Sequence, residues 1–408
     1  MNANFTFHPV GHGLFYSGVI NALEKRTNPF AFVCDCGGRD AKGQFKVFWD
    51  SLKAKFPDGR LTLLMISHFH KDHISGVPSI IAESKPKFAV MPYLSPVERV
   101  ACFAVLSKES DLDQKLKEEL GWLILAPEAY CEKHGCKLYL INPDGQAEKL
   151  PESFDELSVA HVSDKLSFPS ENPTRKNGAE VIRNGAVGFL AGWRFHFFMP
   201  KKATNSQEIE SWLSSKMIRE QGDLNRSIDK ALFEEISKKF GALKLKNNRS
   251  NLVCVHGPVH NVRRDCICVL TGDGGCYSSR LCVRRRGWHA ECVMPTCFSA
   301  LQMLTGDAEF DGASNFSKWM SDDECNQVAL FQVPHHGSRR NQKNWFESQL
   351  ASCVAWVVPH DFSIKDRMNV FKINGKSGGW VYYVKQGLEV CLTSLRRGRN
   401  SAIDRSDD

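Results

Sequence analysis

The sequence predicts an α/β fold with strands at both ends of the chain and helices between them. Short apolar or alternating runs, separated by Gly, Asn and Pro, occur before residue 98 and again after residue 240, which is typical of strands. Between these positions the segments are longer and more charged. Two of them, 108–120 and 207–240, have the pattern of amphipathic helices.

The strands before residue 98 lead to a histidine-rich segment. Residues 61–66 are nearly continuous and apolar, as expected of a strand covered on both faces. Beyond the histidines, Ile74, Val77, Ile80 and Ile81 recur at helical spacing, so the segment is predicted to join a buried strand to a helix. Further strands are predicted at 5–10, 14–20, 30–34, 187–199, 252–256, 300–304, 328–333, 355–358 and 380–384.

The composition is that of an ordinary globular protein. Of the 408 residues, 42% are hydrophobic and 24% are charged, so a sizeable core is expected. No apolar run approaches the ~18 residues of a membrane span, and the first residues lack the pattern of a secretion signal. We therefore expect a cytoplasmic protein with no membrane partner. The 15 cysteines are odd in number and scattered, which favours reduced thiols.

The net charge favours an anionic partner, though weakly. It amounts to +7, and arginines cluster at 284–286, 339–340 and 396–397. Solvated surface charge is an equally good interpretation, because +7 is modest for a chain of 408 residues.

The histidine-rich segment contains His68, His70, Asp72 and His73. In extended backbone His68 and His70 project to the same side, and the turn that follows brings the other two towards the same space. Imidazole and carboxylate groups at this density suit zinc, or manganese where oxygen ligands are numerous. The alternative is a surface loop of hydrogen-bonded histidines. A buried strand leading into such an uncompensated cluster would be costly.

Four ligands so close together are better used by two ions than by one, since an open catalytic ion needs only three protein ligands. Two later segments offer more. Asp307, in Leu-Thr-Gly-Asp, and the pair His335 and His336, in His-His-Gly-Ser, each follow an apolar run, where sites of layered α/β folds are built. Asp273, in a second Thr-Gly-Asp, competes with Asp307, which follows the better apolar strand.

Taken in order, these motifs resemble those of the metallo-beta-lactamase superfamily. They are Asp35 in VCDCG, the HxHxDH run at 68–73, Asp307 in LTGD and the HHGS run at 335–338. Together with NNRSNLV at 247–253, they look most like the branch that contains the nuclease-like domain of bacterial DNA-uptake channels and the phosphorylcholine esterases. The resemblance covers the two ends of the chain. It implies a four-layer αββα metallo-beta-lactamase sandwich with a helical insertion.

The resemblance also implies a division of the ligands between two divalent ions. His68 and His70 would bind one ion and Asp72 and His73 the other, while Asp307 would bridge them. Zinc is the first expectation for both ions and manganese the second.

Three further positions follow from the resemblance. His336 matches the late histidine ligand, with His335 as the alternative, and Asp35 would hold the HxHxDH turn by hydrogen bonds without binding metal. A histidine ligand usually falls between the HxHxDH run and the bridging aspartate. No residue is nominated for it from the available His134, His161 and His196.

We expect a single metallo-beta-lactamase domain over 1–395 and a mobile tail at 396–408. Insertions are expected at about 98–240, which is helical and could dock a protein partner, and at about 261–296, which is rich in Cys and Arg. The cysteines of the second insertion are either packing residues or ligands of a small zinc knuckle.

The main functional hypothesis is phosphodiester hydrolysis, with nucleic acid among the substrates, by a hydroxide bridging two metal ions. Asp72 is a candidate for handling the proton, and His360 for holding the substrate or protonating the leaving group. Arg339 and Arg340, directly after HHGS, are candidate substrate contacts. The alternatives are hydrolysis of a small ester, thioester or lactone, and an inactive regulatory or partner-binding protein on the same fold.

Overall fold

In the computed structural model, the described residues form two sheets and the helices that cover them. The described residues are 2–21, 29–53, 60–143, 165–168, 174–200, 206–241, 251–258, 265–271, 291–293, 301–310, 319–337, 350, 353, 355–359, 380–384 and 388–394. The fold and the candidate site are built from these segments.

The strands pair into two sheets. In chain order the strands are β1 (Asn2–Phe7), β2 (Phe15–Ile20), β3 (Phe30–Cys36), β4 (Leu63–Met65), β5 (Phe88–Pro92), β6 (Lys137–Asn142), β7 (Thr174–Lys176), β8 (Ala179–Arg183), β9 (Ala186–Leu190), β10 (Trp193–Phe198), β11 (Val253–Pro258), β12 (Asp265–Thr271), β13 (Glu291–Val293), β14 (Leu301–Leu304), β15 (Val328–Gln332), β16 (Ala355–Val358), β17 (Trp380–Tyr383) and β18 (Leu388–Ser394). The first sheet has 11 strands in the order β13-β12-β18-β1-β2-β3-β4-β5-β6-β8-β7, and the second has 7 in the order β17-β16-β15-β14-β11-β10-β9.

Each sheet contains a parallel block, and these blocks position the candidate site. Strands β3 to β6 run parallel in the first sheet, and β14 to β17 run parallel in the second. The carboxyl ends of neighbouring parallel strands meet at one edge of a sheet, where loops build sites. The HxHxDH segment follows β4 and HHGS follows β15. The LTGD motif begins at the last residue of β14.

Helices cover the outer faces of the sheets. They are α1 (Ala41–Lys53), α2 (Lys71–Ile74), α3 (Val77–Ser84), α4 (Pro96–Leu106), α5 (Gln114–Leu125), α6 (Pro127–Lys133), α7 (Gln207–Ser215), α8 (Gln221–Ser227), α9 (Lys230–Phe240) and α10 (Asp322–Gln327), with a 3-10 turn at His335–Gly337. In the described part of the chain, no helix has both the length and the apolar character needed to cross a membrane.

Two helix predictions were wrong in their bounds. A helix was expected over 108–120, but α5 begins later because the side chain of Asp113 accepts a hydrogen bond from the Leu116 backbone N–H at 2.8 Å and caps it. The expected helix at 207–240 is three helices, the last of which starts where Asp229 caps the N–H of Leu232 at 2.7 Å. The apolar periodicity continues across these positions, but the capping side chains start new helices there.

Three apolar cores separate the layers and confirm the αββα prediction. Between the sheets, the rings of Phe32 and Phe195 meet edge-on with centroids 5.3 Å apart. The ring centroids of Phe5 and Trp193 are 5.7 Å apart. Helices α1 and α3 to α9 pack on the outer face of the first sheet. Helix α10 contributes Cys325 to the core on the outer face of the second sheet. The order of layers is helix, sheet, sheet, helix.

The alternation of side chains explains why the runs before the candidate site are continuously apolar. In β3, Phe32 faces the second sheet while Val33 faces the helices. In β4, Leu63 and Met65 face the second sheet while Leu64 faces the helices. Because both faces are buried, both sets of positions must be apolar.

A polar network lies inside the core between the sheets. Trp193 Nε1 donates to His256 Nδ1 at 3.2 Å, and His256 Nε2 lies 3.0 Å from the Tyr16 hydroxyl, which donates to Gln302 Oε1 at 2.8 Å. Since Nδ1 accepts, the ring proton belongs on Nε2. Burial lowers the pKa of His256 to about 3, so the ring is neutral in the folded protein near neutral pH.

We expect His256→Phe to reduce the free energy of unfolding by ~2–4 kcal/mol, because it leaves the buried Trp193 N–H without its acceptor and weakens the Tyr16 contact. The unfolded chain protonates this histidine below about pH 6.5 and the native chain does not, so wild-type stability should decrease as the pH falls from there towards about 3. The free energy of unfolding of the variant should lack the part of this pH dependence that comes from His256. Urea denaturation at about pH 7 and about pH 5 measures both effects.

The control is His134→Gln, which changes a half-buried histidine at the end of α6 and should alter stability by no more than ~0.5 kcal/mol. Equal stability of His256→Phe and wild type at both pH values would contradict a structural role for the network.

Candidate metal centre

The candidate metal centre draws side chains from both sheets. The predicted ligands in it are His68, His70, Asp72 and His73 from the turn after β4 and from α2, Asp307 from the turn after β14, and His335 and His336 from the 3-10 turn after β15. This region contains three groups of three residues. Within each group, the three donor atoms lie within 4.8 Å of one another. Side chains up to 324 positions apart in the chain, such as His12 and His336, are thereby brought to one place.

The first group consists of His68, His70 and Asp307. His68 Nε2 lies 3.1 Å from His70 Nδ1 and 3.6 Å from Asp307 Oδ2. His335 approaches the same carboxylate oxygen, with its Nδ1 3.5 Å from Asp307 Oδ2. Two imidazoles and a carboxylate at these separations suit a divalent ion with nitrogen and oxygen ligands.

The second group consists of His73, Asp307 and His336. His73 Nε2 lies 3.4 Å from Asp307 Oδ1, and His336 Nε2 lies 3.9 Å from the same oxygen. Asp307 therefore presents Oδ2 to the first group and Oδ1 to the second. A carboxylate shared in this way can bridge two ions.

The third group adjoins the second and contains a residue that the sequence interpretation missed. Asp72 Oδ2 lies 3.0 Å from His336 Nε2 and 3.6 Å from Nε2 of His12. His12 lies in Gly11-His12-Gly13 near the start of the chain. The one available signal was a histidine between two glycines in a loop, which is too common to indicate a ligand without the fold.

The carboxylate of Asp35, at the end of β3, fixes the turn that carries the first histidines. Its Oδ1 accepts from the Ser67 N–H at 2.7 Å, and its Oδ2 accepts from the Ser67 hydroxyl at 2.5 Å and from His73 Nδ1 at 2.8 Å. A histidine that donates from Nδ1 to a carboxylate leaves Nε2 available as a ligand. Asp35 thus orients His73 Nε2 towards Asp307.

Gln332, at the end of β15, holds the turn that carries Asp307. Its side-chain oxygen accepts from the backbone N–H groups of Thr305 and Gly306 at 2.9 and 3.1 Å, and its amide donates to Gly306 O at 3.3 Å. Gly306 has φ +52°, and a Cβ there would lie 2.6 Å from Ser67 Oγ. Only glycine lets the two ligand turns approach this closely.

Three site residues have left-handed backbone conformations that are unfavourable for residues other than glycine. Asp35 has φ 53°, and His335 and His336 both have φ 50°. Each such conformation costs on the order of 1 kcal/mol or more and persists where the surroundings fix it. For His336 one such restraint is the 2.7 Å contact between its Nδ1 and the carbonyl oxygen of Pro359.

The donor atoms at the middle of the centre fit a metal ion. Among the described residues, His73 Nε2 and Asp307 Oδ1 are buried side-chain atoms without a hydrogen-bond partner, although they face each other. Leaving such atoms unpaired is costly in a protein interior. A cation between them would satisfy both, which makes the group compatible with metal binding.

The electrostatics of the buried histidines differ. Burial and neighbouring His73 hold the pKa of His68 well below its usual value, which favours the neutral imidazole that binds metals. Burial also acts to lower the pKa of His73, but the carboxylates of Asp72, Asp307 and Asp35 outweigh it and raise that pKa well above its usual value. The anionic surroundings therefore favour a positive charge at His73, and a metal ion on Nε2 would supply it in place of the proton.

The two inner carboxylates are held in their ionised form. Burial acts to raise the pKa of Asp307 and of Asp72, but adjacent histidines, His73 foremost, lower both pKa values below the usual range. Ionised carboxylates are the form that binds divalent ions.

A cavity of about 780 Å³ opens beside the centre. His12, His70 and Asp72 line it on the side of the centre. The remaining wall is mixed: apolar side chains of Phe69, Leu106, Leu112 and Leu116, basic side chains of Arg39, Lys42 and Lys71, and acidic side chains of Asp40, Glu109, Asp111 and Asp113. Lys71 forms ion pairs with Glu109, at 3.3 Å, and with Asp111.

Several sequence predictions fall outside the centre or outside the described residues. His196 lies in β10 with Nδ1 3.7 Å from Glu324 Oε1, and the ring of His134 lies tilted against that of Tyr130 with centroids 4.9 Å apart, so neither is placed with the candidate ligands. Of the residues named in the sequence predictions for the site, six lie outside the described part of the chain: His161, Asp273, Ser338, Arg339, Arg340 and His360.

The similarities of the chain to known proteins are distant. No protein-family model and no curated protein matches the chain. It is similar to YhfI, a metallo-beta-lactamase fold protein from Bacillus subtilis, at 10% identity and a TM-score of 0.36, with 95% of this chain and 99% of YhfI covered. It is also similar to the metallo-beta-lactamase MIM-1 from Novosphingobium pentaromativorans, at 8% identity and a TM-score of 0.27, with 85% and 81% covered.

We expect Asp35→Asn to weaken metal binding by ~10–100-fold, because the substitution removes the charge that orients His73 while preserving the size of the side chain. Competition for Zn²⁺ with a chromogenic chelator measures the change. Asp40→Asn, an exposed substitution on the cavity wall, serves as the control and should bind as wild type does. An unchanged affinity in Asp35→Asn would show that the hydrogen bonds of Asp35 do not influence the ligands.

Proposed function

We propose that this protein is a metal-dependent hydrolase that cleaves phosphodiesters at a two-ion centre. The observation that carries the proposal is the pair of buried atoms His73 Nε2 and Asp307 Oδ1, which have no hydrogen-bond partner among the described residues. They are surrounded by histidine and carboxylate donors, of which His12, His70 and Asp72 line a cavity. Buried ionisable groups with strongly shifted pKa values beside a cavity are typical of active sites.

The donor set favours zinc for both ions, with manganese as the alternative, because imidazole nitrogens outnumber carboxylate oxygens. His68 and His70 would hold the first ion, and Asp72, His73 and His336 the second. Asp307, with one oxygen directed to each group, would be shared between them. When bound, two such ions lower the pKa of water and stabilise negative charge that develops on the substrate.

The charge of the loaded centre favours an anionic substrate. Two ionised carboxylates, Asp72 and Asp307, and one hydroxide would face two divalent ions, so an excess of about one positive charge would remain among the ligands. A phosphodiester presents one negative charge at the bond to be cleaved. We therefore favour a phosphodiester over a neutral ester or lactone, which the excess positive charge would attract less strongly.

The chain's own residues supply positioning and proton transfer in this scheme. Asp72 is 23% exposed and lines the cavity, so its carboxylate is our candidate for accepting a proton from the attacking water. We retain His360 as the candidate acid for the leaving group, since Pro359, the residue before it, contacts His336. Arg339 and Arg340 remain candidate contacts for the substrate's phosphate groups.

The cavity wall favours one direction of approach. Exposed Arg39, just before α1, lines the cavity, and so do Glu109, Asp111 and Asp113, from the segment before α5. A polyanion laid against that acidic segment would be repelled. We propose that a phosphodiester, from nucleic acid or a smaller molecule, enters along the side of Arg39.

Asp307→Ala should reduce hydrolysis of bis(p-nitrophenyl) phosphate by ~100-fold or more, since it removes the ligand shared by both groups and with it the charge stabilisation of the reaction. The assay is run on zinc-loaded and manganese-loaded protein, and in parallel on single-stranded DNA, duplex DNA, a carboxylic ester, a thioester and a lactone.

His134→Ala is the matched control, because it removes a histidine distant from the ligands and should retain full activity. Metal-loaded wild type that cleaved the ester, thioester or lactone and left every phosphodiester intact would refute the substrate class. Wild type that bound less than about one ion per chain would refute the metal centre itself.

Arg39→Ala should raise KM for a phosphodiester by about tenfold, equivalent to ~1.4 kcal/mol, and leave the metal content unchanged, because it removes an exposed positive charge from the cavity wall. The control is Lys46→Ala, on an exposed part of α1 where Lys46 pairs with Asp50. An unaltered KM in Arg39→Ala would exclude this side of the cavity as the path of the substrate.

A further inference from the structure

We propose that His12 is an additional ligand of the second metal ion, supplied by a glycine-flanked loop at the mouth of the cavity. The inference rests on the proposed function, because it assumes that Asp72, His73 and His336 hold that ion. None of the sequence motifs that predicted the other ligands includes His12.

The distances place His12 within reach of the same ion as its neighbours. Its Nε2 lies 3.6 Å from Asp72 Oδ2, which in turn lies 3.0 Å from His336 Nε2. The donor atoms of all three residues lie within 4.8 Å of one another, and the rings of His12 and His336 have centroids 4.5 Å apart. Zinc binds nitrogen and oxygen at about 2.0–2.2 Å, so donor atoms around one ion are separated by roughly 3–4 Å.

The loop is held against the ligand helix by contacts that only glycine permits. Gly13 has φ +150°, and a Cβ there would lie 2.4 Å from Gly37 O and 2.7 Å from Asp72 O. The N–H of Leu14 donates to the carbonyl oxygen of Asp72 at 3.0 Å. His12 and Asp72 are thus positioned by one shared backbone contact, which fixes their separation without burying His12.

The position of His12 distinguishes it from the other histidines of the second ion. Its side chain is 63% exposed, whereas those of His73 and His336 are 0% and 5% exposed. His12 also lines the cavity, from which a substrate would approach the second ion. Zinc can expand from four to five ligands during catalysis, and His12 is the most exposed of the side chains that would hold this ion.

The geometry therefore assigns to His12 the outermost ligand position of the second ion. Its loss would leave the first ion, held by His68, His70 and Asp307, with its own ligands. This predicts a selective effect on one of two ions, which distinguishes a ligand from a residue that merely stabilises the fold.

The test is Zn²⁺ titration of the full-length, metal-free protein by calorimetry, combined with visible absorption of the Co²⁺-loaded protein. Wild type should bind two ions. Because loss of residues that only orient a ligand weakens binding by ~10–100-fold, His12→Ala should weaken one of the two binding events by at least about tenfold and leave the other unchanged. The Co²⁺ spectrum should change as the ligand set of one ion is altered. His12→Gln, which retains a weak donor, should fall between His12→Ala and wild type.

His134→Ala again serves as the matched control and should reproduce the wild-type titration and spectrum. Circular dichroism of each variant establishes that it is folded. If wild type binds two ions and His12→Ala binds both with wild-type affinity and an unchanged Co²⁺ spectrum, His12 is not a ligand. If wild type binds no ion, the proposed metal centre fails, and the inference fails with it.

Discussion

The carboxylate of Asp35 is the contact on which the arrangement of the candidate centre depends. It accepts hydrogen bonds from the backbone and hydroxyl of Ser67 and from the ring of His73, and so joins the end of β3 to the turn after β4. Asp35 adopts a left-handed conformation to do so. The local strain is offset by three hydrogen bonds to a charged, buried acceptor, each stronger than its neutral equivalent. The turn thereby presents its histidines in one orientation.

The second sheet completes the centre by a different means. Gln332 forms hydrogen bonds with both the N–H and the carbonyl oxygen of Gly306, the residue before Asp307, and Gly306 allows that turn to pack against Ser67. Each sheet therefore fixes the turn that carries its candidate ligands with a side chain outside the three donor groups, and the close packing of the two turns sets the distance between those candidate ligands. Such supporting contacts determine ligand geometry as strongly as the ligands themselves.

The centre also combines a buried interior with an accessible face. His68, His73 and Asp307 are almost completely buried, while Asp72 and His12 border the cavity. Burial strengthens the electrostatic coupling among the inner groups, as their opposed pKa shifts indicate. Exposure of the outer groups leaves room for a substrate and for a change of ligands. This gradient favours a catalytic centre over a purely structural one, which would be closed.

The sequence by itself determined the layered α/β class and the dense ligand run at 68–73, because periodicity and clustering of metal-binding residue types are local properties. It also indicated Asp307 and the His335–His336 pair, which follow apolar runs. It did not indicate His12, and it misplaced the start of α5, which Asp113 sets. Only the tertiary structure decided that a loop near the start of the chain meets Asp72, and that His134 and His196 lie elsewhere. Contacts between distant segments depend on how the sheets pack, which no local pattern encodes.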